Sequence, residues 1–191
     1  MEEQERALME VTEKTDTVYA GPIFRVEVSE VRLSNGVKAR RDVVRHPGAV
    51  CVLPITKEGE VLLVRQWRAG YQGTMIEIPA GKLDPGETDT REAAERELRE
   101  ETGAIAGRMI PLGDYYGSPA ILSERIAMYL AEELTFGDTD FDEDELIEPV
   151  RMTLDDLVRE VLAGHIPDGK TQVAALRAYC MRHGLPGDAA L

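Results

Sequence analysis

Along the chain, apolar residues first alternate with polar ones, then run together, and only later fall into a helical period, so strands are predicted before helices. Phe24-Arg25-Val26-Glu27-Val28 alternates, Val31-Arg32-Leu33 continues the pattern, and Asn35-Gly36 is a two-residue hairpin signal ahead of Val37 to Val44. Residues 16–46 thus read as a small antiparallel unit. Residues 1–14 suit either a short charged helix or a loose segment. After the punctuation of His46-Pro47-Gly48, Ala49 to Ile55 is an unbroken apolar run. The Lys57-Glu58-Gly59 turn and a second run, Val61 to Val64, follow. Both runs read as buried strands of the main sheet. Met75-Ile76-Glu77-Ile78 predicts another, ending at Pro79-Ala80-Gly81.

Gly81 to Gly86 reads as a loop. Asp89 or Thr90 can cap a helix that runs to about Thr102 and stops at Gly103. Further strands are expected at Met109 to Leu112 and Ile126 to Leu130. Leu154, Leu157, Val158, Val161 and Leu162 fall at i, i+3, i+4, i+7 and i+8, which predicts an amphipathic helix. A last helix is expected over roughly Thr171 to His183. No repeat is visible, and the one biased segment is the acidic stretch from Asp138 to Glu148.

A length of 191 residues suits one compact domain with a small appendage, and 43% hydrophobic with 30% charged residues is the balance of a globular protein. The division expected is 1–47 for the appendage and 48–191 for the main domain. No apolar run approaches the ~20 residues of a membrane span. The acidic start, MEEQERALMEVTEK, lacks the basic and apolar regions of a signal peptide, so a cytoplasmic location is the expectation. Cys51 and Cys180 read as free thiols. A net charge of −14 with no basic stripe argues against nucleic acid as a partner. An anionic substrate would need a neutralising cation.

The segment Arg91 to Glu101 could be an ordinary solvated helix face. Its spacing argues otherwise. Glu92 has Arg96 at i+4, Glu95 has Arg91 and Arg99, and Glu100 has Arg96, the usual weak ion pairs of helices. Glu97 and Glu101 have no basic residue at i±3 or i±4, yet they lie i, i+4 from each other, with Glu100 at i+3 from Glu97. The three occupy an arc beside Ala94 and Leu98, bordering the buried face. A hard cation with oxygen ligands would relieve their repulsion.

Gly81-Lys82-Leu83-Asp84-Pro85-Gly86-Glu87, followed by Arg96-Glu97-Leu98-Arg99-Glu100-Glu101-Thr102-Gly103-Ala104, resembles the Nudix box of nucleoside diphosphate-linked hydrolases. Eight residues separate Glu87 from Arg96, one more than the family pattern. The extra residue is placed in Thr88 to Thr90, before the helix, and the Glu87–Arg96 contact is the one it puts at stake. Val64-Arg65-Gln66-Trp67-Arg68, Glu77-Ile78-Pro79-Ala80-Gly81, and Ser118-Pro119 with Glu124 resemble the ADP-ribose pyrophosphatase branch.

The resemblance implies an α+β fold, a mixed β-sheet sandwiched between helices, preceded by a small N-terminal antiparallel β unit. In that family the unit exchanges between subunits and helps build the adenine pocket, so a homodimer is expected. The implied reaction is water attack on a phosphorus of ADP-ribose, releasing AMP and ribose 5-phosphate. The metal set implied is Glu97, Glu100, Glu101 and the Ala80 carbonyl, holding Mg²⁺, with Mn²⁺ or another divalent cation as alternatives. Arg68, then Arg65 and Arg41, are the candidates to meet phosphate oxygens. Glu77 and Pro119 complete the substrate-binding set. The family also places a catalytic glutamate on a loop in the region of the acidic stretch. Glu145 is preferred there over Glu143, with Glu100 as a third candidate. Rival readings are another nucleoside diphosphate sugar or dinucleotide as substrate, and a non-catalytic nucleotide-sugar sensor on the same fold.

Some motifs are declined. Gly164-His165-Ile166-Pro167-Asp168-Gly169-Lys170-Thr171 matches the phosphate-loop pattern by letter, but a helix rather than a strand precedes it, so Gly164 is read as a helix terminator. Asp138, Asp140, Asp142 and Asp144 fail as a calcium loop, since Glu143 and Pro149 stand where glycine and glutamate are required. His46, His165 and His183 are expected at the surface.

Overall fold

The computed structural model describes residues 3–137 and 146–184; Glu143 and Glu145 lie outside them. The chain divides into two compact units, Met1–Gly48 with Tyr116–Glu124, and Ala49–Tyr115 with Arg125–Leu191.

The first unit comprises α1 (Glu3–Leu8), β1 (Glu10–Ala20), β2 (Arg25–Leu33) and β3 (Lys38–Arg45). The strands form an antiparallel sheet in the order β1-β2-β3. The Asn35-Gly36 turn joins β2 to β3, with the Gly36 N–H donating to the Leu33 carbonyl at 2.9 Å. β1 starts earlier than the sequence pattern suggests. Every one of its residues is exposed, so it lacks the alternation that announces a half-buried strand. Residues 116–124 join this unit through a bridge between Val44 and Leu122. His46 is half-buried rather than at the surface. Its Nδ1 accepts from the Gly48 N–H at 3.2 Å and lies 3.4 Å from Glu124 Oε1.

The second unit contains β4 (Ala49–Pro54), β5 (Glu60–Arg68), β6 (Gly73–Glu77), β7 (Ala80–Lys82), α2 (Thr90–Thr102), β8 (Ala104–Ile105) and β9 (Arg108–Tyr115). It continues with β10 (Ile126–Glu132), β11 (Thr135–Phe136), β12 (Glu148–Thr153), α3 (Leu154–Leu162) and α4 (Gly169–His183). The main sheet runs β7-β4-β10-β9, with β4 parallel to β10 and the other pairs antiparallel. A second sheet has the order β12-β5-β6, and β8 pairs with β11.

The apolar run of β4 is explained by what covers it. Cys51 and Leu53 share one core with Leu157 and Val158 of α3 and Ala174 and Ala178 of α4. Val50 and Val52 share the other with Ala93, Ala94 and Leu98 of α2. Both faces of the strand are therefore apolar, which erases alternation and leaves a continuous run. The result is an α+β arrangement, a mixed sheet between α2 on one side and α3 with α4 on the other.

Cys51 is fully buried, and that burial pushes its thiol up to about 12, so it stays protonated and inert. Cys180 is also free. Among the described residues, no helix is long and apolar enough to cross a membrane.

Candidate active site

The carboxylate helix begins where an acceptor is available to cap it. Asp89 accepts from the Arg91 and Glu92 N–H groups at 2.8 and 3.3 Å, and α2 runs from there to Thr102. It stops at Gly103, whose left-handed φ of 67° few other residues adopt cheaply, and whose N–H donates to the Arg99 carbonyl at 2.8 Å. α2 is thus one unbroken helix from its cap at Asp89 to Gly103, with the box's extra residue present.

α2 buries Ala93, Ala94 and Leu98 together with two carboxylates, Glu97 at 9% exposure and Glu101 at 3%. Buried carboxylates are costly unless they are paired or hold a cation. Both side chains reach β7. Glu101 Oε2 accepts from the Ala80 N–H at 3.3 Å. A Cβ on Gly81 would fall on the Glu97 carboxylate, so the bare backbone at Gly81 is what lets Glu97 lie against the strand.

Arg96 fills a role that helical spacing alone does not reveal. Its Nη1 donates to Glu97 Oε1 at 2.8 Å and to Glu100 Oε2 at 2.9 Å, while its Nη2 donates to Glu87 Oε2 at 3.1 Å. The Glu87–Arg96 contact therefore survives the extra residue. Glu97 is partnered by its chain neighbour rather than by a cation one turn away. Burial alone would weaken the Arg96 charge, but Glu87, Glu97 and Glu100 together raise its pKa above the ordinary value. The Glu87 carboxyl is held low by Arg96 and by the Asp84 N–H.

Arg68, at the end of β5, donates Nε and Nη2 to Glu77 Oε1 and Oε2 at 2.7 and 2.8 Å, a bidentate pair. The charge of Glu101 also acts on Arg68. Glu77 is only 1% exposed. Its burial would raise the carboxyl, but bonds from Arg68 and Lys170 outweigh that and hold it below the usual range. Lys170 reaches Glu77 from α4, and its Nζ lies 3.0 Å from Asp168 Oδ1. Burial opposes its charge, and Asp168 and Glu77 more than restore it.

The structure thus sets Glu97 and Glu101 against Ala80 and Gly81 of β7, leaves Glu100 paired with Arg96, and joins Glu77 to Arg68. It separates Arg65 from Arg68. Three positions apart on β5, they face opposite sides, and Arg65 forms an exposed pair with Glu148 at 3.4 Å. Arg41 and Pro119 belong to the first unit, where Arg41 Nε donates to Glu10 Oε2 at 2.9 Å. Lys170 escaped the sequence reading because its partner Glu77 is 93 residues away, and Asp168, which pairs with Lys170 two residues on, escaped because the local letters suggest only a phosphate loop. In the fold, Asp168 is the N-cap of α4, and Gly164 follows the last turn of α3, its N–H donating to the Val161 carbonyl at 3.0 Å.

The donors at α2 and β7 are all oxygens, and together they carry more negative charge than Arg96 alone can offset. Oxygen donors of this kind suit a hard divalent cation rather than a soft one, although among the described residues no three acidic, histidine or cysteine side chains are grouped closely enough, as they stand, to hold a metal ion.

Residues 44–177 match the NUDIX domain. The chain is 38% identical over 171 residues to an ADP-ribose pyrophosphatase of Bacillus subtilis (strain 168), covering 88% of this chain and 92% of that one. It is 39% identical over 167 residues to a methanol dehydrogenase activator of Bacillus methanolicus, covering 86% and 90%. Among solved structures, an ADP compounds hydrolase superimposes with a TM-score of 0.74 at 25% identity, over 93% of this chain and 97% of that one. With the box folded as a capped helix against Ala80 and Gly81 and the match extending from β3 into α4, the chain belongs to the Nudix family.

Proposed function

We propose that this Nudix pyrophosphohydrolase cleaves ADP-ribose to AMP and ribose 5-phosphate with the help of a divalent cation, Mg²⁺ first among them. The observation that carries this reading is the convergence of the buried Glu97 and Glu101 carboxylates on the Ala80–Gly81 backbone. The likeness to an ADP-ribose pyrophosphatase across most of both chains supports the substrate. Glu97, Glu100, Glu101 and the Ala80 carbonyl are assigned as ligands. When bound, the cation supplies charge to the pyrophosphate and acidifies a water molecule.

The chain's own side chains do the rest. Beyond its bidentate pairing with Glu77, Arg68 has further N–H groups with no side-chain partner among the described residues, and such a guanidinium suits phosphate oxygens. Arg65, Arg41 and Pro119 are assigned as further substrate contacts. Arg96 balances the charge of Glu87, Glu97 and Glu100 and holds the three carboxylates together. Glu145, or failing it Glu143, is assigned to take the proton of the attacking water. With a net charge of −14 the protein is assigned no nucleic-acid partner, and the cytoplasm is its proposed location.

The other reading, a different nucleoside diphosphate sugar or dinucleotide as substrate, keeps the chemistry and changes the pocket. A panel containing ADP-ribose, GDP-mannose and a dinucleoside diphosphate, assayed with Mg²⁺, separates the two. ADP-ribose is expected to give the highest kcat/KM, and a clear preference for another member would replace it as substrate.

The first unit, residues 1–47 in outline, is assigned to dimerisation and to the substrate pocket. Val11, Val18, Tyr19, Ile23 and Phe24 are all exposed on or beside β1 and β2, an apolar surface that a second copy of the chain would cover. Sedimentation at micromolar concentration is expected to show a dimer. A monomer with full activity would exclude this role.

A further inference from the structure

Glu77 is surrounded by more positive charge than its burial requires. A single bidentate arginine neutralises a buried carboxylate, and Arg68 already supplies one. Lys170, itself 9% exposed, adds a second cation and then needs Asp168 to balance it. Each further buried charge carries a desolvation cost, so the extended chain Arg68–Glu77–Lys170–Asp168 is a dearer way to stabilise the fold than the simple pair.

What the extra cation adds is geometric. Glu77 Oε2 accepts from both Arg68 Nη2 and Lys170 Nζ, while Oε1 accepts from Arg68 Nε. Three donors on two oxygens fix the carboxylate's rotation, and a fixed carboxylate fixes the plane of the guanidinium paired with it. The same turn of α4 also secures the neighbouring backbone. Thr171 Oγ1 accepts from the Ile78 N–H at 2.9 Å and donates to Asp168 Oδ2 at 2.5 Å. Asp168 in turn accepts from the Thr171 N–H at 2.9 Å. Arg68, whose side chain is 38% exposed, is the end of this chain that can reach a ligand.

We infer that Lys170 is a positioning residue for substrate binding, aiming Arg68 at the substrate's phosphates through Glu77. This rests on the assignment of Arg68 to phosphate oxygens made above. The segment that imitates a phosphate loop thereby contributes to phosphate recognition without touching phosphate. Its lysine acts one residue removed, from α4 through Glu77.

The test is a double-mutant cycle on the full-length protein, with Lys170→Met, Arg68→Gln and the double variant assayed against ADP-ribose with Mg²⁺. Lys170→Met is expected to raise KM about tenfold while kcat stays within about threefold, the signature of lost binding rather than lost chemistry. In the Arg68→Gln background the same substitution is expected to add less than about twofold, because its route to the substrate is already cut. The Arg68 Nε–H resonance should shift in Lys170→Met, a change that general destabilisation of a still-folded protein would not produce.

An effect on KM that multiplies in full with that of Arg68→Gln would overturn the proposal, as would an unchanged KM in Lys170→Met. Should Lys170→Met not fold, Lys170→Arg takes its place in the cycle, since it keeps the charge but moves its donors, with the same outcomes expected. If the wild type prefers another nucleoside diphosphate, the cycle is run with that compound. That result removes ADP-ribose as the substrate and leaves the cycle to decide the role of Lys170.

Discussion

Glu97→Gln and Glu101→Gln are each expected to lower kcat/KM by about 10³-fold, the several kcal/mol that a catalytic cation contributes to a phosphoryl reaction. The reason lies in what glutamine keeps and what it loses. Glutamine preserves the side-chain length, so it still fits against Gly81 in place of Glu97, and its carbonyl oxygen can still accept the Ala80 N–H in place of Glu101. It loses the charge that a hard cation requires of its ligands. Folding should therefore be little affected. Replacing Glu97 also leaves Arg96 with Glu87 and Glu100 as partners. A thermal melt close to wild type, with a much weakened Mg²⁺ dependence, is the expected pair of observations. Full activity in both variants would remove these residues from the cation site.

Glu145→Gln is expected to lower kcat by about 10² to 10⁴ with little change in KM, the effect of removing a general base that does not contribute to binding. A base must accept a proton from the attacking water, so it cannot be a carboxylate already committed to a cation. Glu97, Glu100 and Glu101 are all committed in this account, and Glu100 is also held by Arg96. Glu145 stands just before Leu146-Ile147; Leu146 is 90% exposed, so of this apolar pair only the half-buried Ile147 can tie the chain to the fold. Glu143→Gln should be much milder. The opposite ranking would transfer the role to Glu143. Near-normal kcat in both would return it to Glu100 or dispense with a side-chain base.

How far the sequence announced this protein depended on how local each signal was. The ends of α2 were legible because Asp89 and Gly103 act within a few residues of themselves. The amphipathic period of α3 and the turn at Asn35-Gly36 were legible for the same reason. β12 was not, because Pro149 argues against a strand; it is tolerated since β12 is the edge of its sheet and pairs on one side only. β7, β8 and β11 are two or three residues long and too short to carry a period. α4 begins at Gly169, two residues ahead of the expected start, because Asp168 rather than the apolar pattern sets its first turn.

At the site, the box glutamates stood out by their missing helical partners, and their burial against β7 gives that signal its physical basis. The partners themselves were not legible. Arg96 reaches Glu97 from the adjacent position, which helix-face spacing does not count, and Lys170 reaches Glu77 across 93 residues. The apolar run that announces β5 ends at Val64, so the continuation of the strand through Arg68, which sets Arg65 and Arg68 on opposite faces, was not legible.

The most direct measurement is product analysis of ADP-ribose incubated with the purified protein, with Mg²⁺, with a chelator, and with Mg²⁺ restored after chelation. The account predicts AMP and ribose 5-phosphate in equal amounts with Mg²⁺, none with the chelator, and recovery on restoring the cation. ADP-ribose left intact in the presence of Mg²⁺, or the same products released at the same rate in chelator, would contradict it.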